Sequence, residues 1–357
     1  MGFTSFIVQL VMIREFLSLF MGNELVIGII LSLWMLLTAG GALLGKSVNK
    51  TLRASSSFVS LLLFIGLSPV SGLLFVNWLQ SQLFDPGVLI PLQFVLIITL
   101  AGIALFCLAS GIMFTILATH YKKAVNGRIS KVYMLEALGS LAGGLLFNLV
   151  LIHTLSAINI LHILILLNLI AAGIYLFISG KRKLGILSMI LSFAAIIVLL
   201  QLKLDKVLIQ MKYPGQEVLL NRDTPFAKLV ITKNAGQITF YHNGIPAFNT
   251  SDLINREEKI HYAMPLHPSP ENILLMGGGI DGSAKEILKY EVRLIDYVDA
   301  DQWSMAAAEK FNILTWPEQV NIHKTDLKRF LSDSKRHYDM IILNPETPGT
   351  IGNSRFF

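Results

Sequence analysis

The sequence is short of charge and of cysteine. Only 15% of its residues are Asp, Glu, Lys or Arg, against roughly a quarter in soluble domains. So few charges cannot cover a chain that is 54% hydrophobic, and part of it is expected in lipid. Cys107 is the one cysteine and lies in an apolar run. That excludes a disulfide framework and any Cys-x-x-Cys or Cys/His metal spacing, so no metal is expected. The first apolar segment lacks a basic start and a small-residue cleavage site. It does not read as a signal peptide and is expected to be retained.

The apolar residues are concentrated in 1–202, whereas 203–357 hold most of the acids, bases and prolines. A helix needs roughly 20 apolar residues to span a hydrocarbon core of about 30 Å. Seven segments qualify, near 3–21, 25–45, 56–78, 88–118, 132–153, 157–179 and 184–202. Arg14 and Glu15 interrupt the first, which leaves a re-entrant segment open there. Within the spans, "GALLG" (41–45) and "GSLAG" (139–143) are small-xxx-small patterns that let helices approach closely. Glu15, Glu24 and Glu136 are acids in or near lipid; ion-pair or interfacial roles are the preferred reading over a cation pathway.

A net charge of +6 could point to nucleic acid, but the bases lie in short clusters between apolar segments. Lys46, Lys50 and Arg53, then Lys122, Lys123, Arg128 and Lys131, then Lys181, Arg182 and Lys183 make ten bases on alternate loops. The intervening "GNE", "DPG" and "IHT" loops carry none. The pattern predicts a multi-pass membrane protein with the basic loops cytoplasmic, and no nucleic-acid partner. An odd number of spans puts the following region outside, although Lys203, Lys206 and Lys212 pull the other way.

That region opens with "FAKLVITKNAGQITFYHNG" (226–244), an alternating pattern around a turn that reads as a β-hairpin. A helix is predicted over 251–266, broken by "HPSPEN". Strands at 273–277, 292–298, 319–323 and 339–343 then alternate with helices at 282–290, 302–311 and 326–332, the order of a parallel sheet with helices on its faces. The predicted fold class is a multi-span helical membrane domain (1–202), a small β-rich domain with a linking helix (203–266) and an α/β Rossmann-like domain (267–357).

Between the first strand and helix of that last domain, Gly277, Gly279 and Gly282 satisfy GxGxxG, and Asp299 follows Gly279 by twenty residues. Glycines let the backbone approach a ligand, helix-terminal N–H groups face it, and a carboxylate after the second strand receives ribose hydroxyls. The same device serves NAD and S-adenosyl nucleotides, and a purely structural tight turn satisfies the spacing too.

The wider context narrows this. The succession "TPFAKLVIT", "FYHNG", "NREEKIHYAMPLHPSPENILLMGGG", "YVDAD", "KTDLKRFL" and "YDMIILNPETPGT" resembles the spermidine synthase family, the polyamine aminopropyltransferases. The resemblance is strongest to their membrane-fused form, whose start "REFLSLFMGNELVIG" (14–28) resembles. It implies a methyltransferase-like Rossmann sheet behind a small β-domain. The implied co-substrate is decarboxylated S-adenosylmethionine or a related S-adenosyl nucleoside. By the same resemblance Gly277, Gly278 and Gly279 are cofactor-binding glycines, Asp299 holds the ribose and Asp326 lies beside the adenine. A solvated strand end for Asp299 and a helix N-cap for Asp326 are the plain alternatives.

The amine-binding half departs from the family. In place of its "GGGDGG" stands "GGGID", so Ile280 takes the position of a substrate-binding acid and Asp281 falls one residue later. At a helix start that shift rotates a side chain by about 100°. His261, Tyr262 and Ala263 stand where "YHE" or "YQE" is expected, and Ala247 where a glutamine is. The catalytic loop "DSSDP" is here "NPETP", which places Asn344 and Thr347 at two acid positions and leaves Glu346 as a candidate substitute. Aminopropyl transfer needs a deprotonated amine held in line with the carbon beside a sulfonium. An amide cannot take that proton near neutral pH.

Two function classes follow: an aminopropyltransferase-like enzyme acting on an unidentified amine, or a transporter or sensor whose Rossmann domain binds a nucleotide without catalysis. A homo-oligomer is left open. The chain ends at "GNSRFF" after a fourth strand, so a C-terminally truncated sheet is expected. The side of the soluble region is unresolved at this level, because the basic loops argue for outside and the supply of adenosyl nucleotides for inside.

Overall fold

The computed structural model describes residues 1–21, 24–48, 55–125, 129–201 and 204–344. They fall into two compact units, one of Met1–Phe20 with Glu24–Pro214, the other of Met21–Asn23 with Gly215–Phe357.

Long apolar runs make helices the only regular elements of the first unit among the described residues. It comprises α1 (Gly2–Leu19), α2 (Glu24–Val48), α3 (Ser55–Leu83), α4 (Leu92–Val125) and α5 (Ile129–Leu146). A π-helical turn over Phe147–Leu151 runs into α6 (Ile152–Thr154), and α7 (Ala157–Ile178), α8 (Arg182–Gln201) and α9 (Leu204–Lys212) follow. Six of these helices are long and apolar enough to cross a membrane among the described residues. The last apolar stretch expected from sequence is helical over its described residues as α8, which packs on α7, where the Ser188 hydroxyl donates to the Leu169 carbonyl at 3.3 Å.

Glycines set the closest approaches between helices. A Cβ on Gly41 would stand 2.3 Å from the Leu108 carbonyl oxygen, and one on Gly143 2.8 Å from that of Phe3. The small-xxx-small motifs thus pack α2 on α4 and α5 on α1. Ile7, Phe16, Ile30, Ile65 and Phe106 fill the interior, yet Met35, Leu43 and Leu149 are 72–73% exposed. The outside is as apolar as the inside, the reverse of a water-soluble bundle. Glu136 lies 3.9 Å from the Met1 amino group, and Arg14 and Glu15 each have an interacting partner. The Glu24 side chain lies outside the described residues.

The short helix α9, which the sequence reading assigned to the β-rich part, groups with the bundle. Polar contacts fix it at both ends. The Lys212 ammonium donates to the Ser18 carbonyl and hydroxyl at 2.6 and 2.8 Å, at the C-terminal turn of α1. Asp205 accepts the hydroxyl of Ser156, the N-cap of α7, at 2.7 Å.

The second unit begins with an antiparallel meander, β1 (Glu217–Asp223), β2 (Lys228–Asn234), β3 (Gln237–His242) and β4 (Ile245–Asn249), in sequential order. Ala235–Gly236 and Asn243–Gly244 all have positive φ, the requirement of two-residue hairpin turns that match strand twist. Helix α10 (Leu253–Ala263), capped by Asp252, leads to the second sheet. There β5 (Asn272–Met276), α11 (Ser283–Ile287), β6 (Leu294–Val298), α12 (Gln302–Lys310), β7 (Val320–His323), α13 (Leu327–Asp333) and β8 (Met340–Leu343) alternate. All strand pairs are parallel, in the order β7-β6-β5-β8. Chain connections leave in opposite directions between β5 and β8. That switch point at the carboxyl ends of the strands is where open α/β sheets bind ligands.

Candidate functional site

The glycine turn lies at the switch point. Gly277 and Gly278 have φ of 71° and 66°, left-handed conformations that favour glycine. A 3-10 turn over Gly279–Asp281 and a left-handed Gly282 then lead into α11. Close packing constrains both sides of the turn. A Cβ on Gly278 would meet the Asn344 carbonyl oxygen at 2.3 Å, and one on Gly279 the Tyr297 ring at 2.4 Å.

Asp281 and Asn344, set apart by 63 residues in the chain, meet across the switch point. The Asn344 amide donates to Asp281 Oδ2 at 3.3 Å, and Asp281 Oδ1 accepts the Ser283 backbone N–H at 2.8 Å and the Ser283 hydroxyl. The Asn344 N–H donates to the Met276 carbonyl, which continues the β5–β8 pairing. Asn344 is 7% exposed, so its amide is held where the sequence reading places a family acid. Glu346 and Thr347 lie outside the described residues.

Asp299 stands just past β6, beside the glycine turn. Its Oδ2 accepts the Tyr297 hydroxyl at 2.8 Å and its Oδ1 the Asp301 N–H at 2.9 Å. Burial and the neighbouring Asp299 charge raise the Tyr297 pKa well above its ordinary value, so the phenol remains a donor. Tyr297 was not singled out by the sequence reading. The signal was present, since residues two apart on a strand share a face. Asp326 caps α13 by accepting the Lys328 and Arg329 N–H groups at 3.0 and 3.3 Å, the plain alternative named for it.

The four residues read as an amine pocket differ in exposure and in partners. Ile280 is 7% exposed and packs in the apolar core, while Tyr262 is 76% exposed. His261 bonds through Nδ1 to the Tyr290 hydroxyl at 2.7 Å and faces Glu286 through Nε2 at 3.5 Å. Asp281 meets Asn344 across the switch point, and its backbone carbonyl accepts from Arg256 at 3.0 Å, the arginine that also lies beside Glu286.

Ligand atoms of Glu257, His261 and Glu286 lie within 4.8 Å of one another, a spacing that a metal ion could bridge. The charge there is already balanced. Lys289 pairs with Glu286 and, at 3.5 Å, with Glu257, and Arg256 Nε lies 3.4 Å from Glu286. Burial alone would raise the Glu286 pKa, but Lys289, Arg256 and His261 hold it below its ordinary value. The donor set fits an ion-pair cluster joining α10 to α11 better than a metal centre.

A further acid, Asp296, is fully buried in the middle of β6. His323 at 2.9 Å, Asn321 at 3.1 Å, Arg336 at 2.8 Å and Tyr338 at 2.8 Å surround it. Burial acts to raise its pKa, yet these donors hold it below the usual carboxylate range. The only cue in the sequence was an acid in the middle of an apolar strand.

The model of the Spermine/spermidine synthase domain matches residues 253–357. The polyamine aminopropyltransferase of Methanocaldococcus jannaschii is 27% identical over 156 residues, covering 42% of this chain and 50% of that protein. The one from Lachnospira eligens is 33% identical over 112 residues, covering 30% and 39%. A spermidine synthase crystallised in complex with the transition state analogue AdoDATO is 24% identical, with a TM-score of 0.37, covering 40% of this chain and 50% of that one. This chain thus spans half or less of the length of these relatives. Over residues 253–357 it is similar to the spermine/spermidine synthase domain, and the chain is similar in sequence to polyamine aminopropyltransferases.

Proposed function

We propose that this is a membrane-anchored, spermidine synthase-like protein whose C-terminal part binds an S-adenosyl-type nucleoside. Decarboxylated S-adenosylmethionine is the leading candidate. The observation that carries the reading is the glycine turn at the β5/β8 switch point with Asp299 at the end of the adjacent strand. Glycines in left-handed conformations let the backbone approach a ligand closely, and the Asp299 carboxylate is an acceptor suited to ribose hydroxyls. The lipid bilayer is the proposed partner of the helical unit, supported by six helices of spanning length and by apolar side chains on the outside.

The reaction class of the lineage is aminopropyl transfer. An amine lone pair attacks the methylene carbon beside the sulfonium, the C–S bond breaks towards sulfur, and the new ammonium loses a proton. The described residues supply Asp281 as the carboxylate nearest Asn344, suited to holding an ammonium. Asn344 can orient a ligand but cannot accept the proton. That favours an altered amine acceptor, and it keeps a second reading in view: nucleotide binding that serves a transporter or sensor without catalysis.

Sidedness belongs to the same proposal. The Lys212 and Asp205 contacts attach α9 to the end of α1 and the start of α7, opposite the basic loops that follow α2, α4 and α7. This supports a seventh crossing by α8, with the chain leaving the bundle on the outer side if the bases are cytoplasmic.

The testing experiment is a thermal-shift screen of the full-length protein in detergent. It compares decarboxylated S-adenosylmethionine, S-adenosylmethionine, methylthioadenosine and NAD. Stabilisation by the S-adenosyl nucleosides above NAD is expected; stabilisation by NAD alone would replace the reading with a dinucleotide one.

A further inference from the structure

We infer that Tyr297 is a positioning residue that aims the Asp299 carboxylate at the ribose and ties it to the glycine turn. The inference rests on the proposed nucleoside site and goes beyond it by naming what gives that site its ribose selectivity.

Tyr297 is fully buried within β6, and its ring stacks on Trp316 with centroids 5.0 Å apart. One ring edge lies so near Gly279 that any side chain there would collide with it, since a Cβ would come within 2.4 Å. Its hydroxyl donates to Asp299 Oδ2 at 2.8 Å while the Asp301 N–H holds Oδ1 at 2.9 Å. These two donors, one to each oxygen, restrain the carboxylate's rotation about χ2, a torsion that is otherwise broad, alongside its other contacts. A preorganised acceptor binds a hydroxyl pair without first giving up rotamer freedom. Tyr297 therefore couples two halves of the site that the sequence presents as separate motifs: the turn, through packing, and the carboxylate, through a hydrogen bond.

Phenylalanine at this position preserves the ring and its packing and deletes only the donor. The expected consequence is confined to ligands that carry ribose hydroxyls. Full-length wild type, Tyr297→Phe, Asp299→Ala and the double variant are titrated with 5′-methylthioadenosine and with its 2′,3′-dideoxy analogue. Tyr297→Phe should weaken the ribose ligand about tenfold, the scale of one hydrogen bond to a charged group, and leave the dideoxy ligand within about twofold. The double variant should bind no worse than Asp299→Ala, because both changes act through one carboxylate. Retained dideoxy binding also reports that the variant is folded.

Three results would overturn the inference. If Tyr297→Phe keeps the wild-type preference for ribose while Asp299→Ala loses it, the carboxylate needs no aiming and the proposed nucleoside site still stands. If Tyr297→Phe weakens both ligands equally, the residue supports the fold and not the carboxylate. If the wild type binds neither ligand, the proposed site and this inference fall together.

Discussion

Asn344 donates its side-chain amide to Asp281 Oδ2 at 3.3 Å across the β5/β8 switch point, and Asp281 is in turn fixed by Ser283. An amide thus stands beside a carboxylate at one position where the resemblance to aminopropyltransferases implies an acid, and an amide carries no charge to hold an ammonium ligand.

Spermidine formation from putrescine is therefore expected to be low or absent. Burying an ammonium without a carboxylate costs several kcal/mol per ion, and Ile280 offers only hydrocarbon. A product assay with decarboxylated S-adenosylmethionine and putrescine checks this. Turnover in the ordinary enzymatic range, about 1 to 1000 per second, would contradict it.

Gly278→Ala should destabilise the second unit and weaken nucleoside binding together. Its φ is 66°, and the new methyl would press on the Asn344 carbonyl at 2.3 Å. Left-handed backbone at a non-glycine residue costs of order 1–3 kcal/mol. The paired measurement is thermal denaturation and ligand titration of the same preparation, where a normal melting temperature would show that the backbone relaxes freely.

Asp296→Ala should be among the most damaging single changes outside the glycine turn. It leaves the His323, Asn321, Arg336 and Tyr338 donors without their shared acceptor; Arg336 is 56% exposed, so the loss is that of hydrogen bonds to a charged group, about 1.5–3 kcal/mol. The pH dependence has a definite sign. The folded pKa lies below the unfolded one, near 3.9 for a free Asp. The contribution is complete above that unfolded value and is lost as pH falls through the lower folded one. Acid denaturation curves of wild type and Asp296→Ala should therefore converge at low pH; a constant gap down to the acid limit would refute the linkage.

Reporter fusions after Lys183 and after Lys212 test the seventh crossing. Opposite sides are expected, with Lys183 cytoplasmic. A shared cytoplasmic signal would mean that α8 does not cross and would remove any difficulty in supplying an intracellular nucleoside.

Much of this architecture was legible in the sequence. The strands expected at 273–277 and 339–343 form as Asn272–Met276 and Met340–Leu343, because short apolar runs between breakers leave little freedom in register. The helix expected at 282–290 is only Ser283–Ile287, since its last residues turn to bring Val292 N–H onto the Tyr290 carbonyl. The β-rich part was read as one hairpin, whereas the Asn243–Gly244 turn adds a further antiparallel strand and β1 pairs with β2. What stayed hidden depends on distant partners. Asp296 is satisfied by residues 25 to 42 positions away, and Ile280 and Tyr262, adjacent to motif residues, face the core and the solvent. Asp326 illustrates a tie that sequence could not break, since an N-cap and a ligand-binding acid call for the same residue type at the same strand-to-helix turn.

The measurement that bears most directly on the central claim is calorimetry of methylthioadenosine binding to the full-length protein beside its Asp299→Ala variant. Binding by the wild type, weakened in the variant by about 1.5–3 kcal/mol as for a lost charged hydrogen-bond partner, is the predicted result. Equal affinity in the two proteins, or tighter binding of NAD than of methylthioadenosine, would contradict the account.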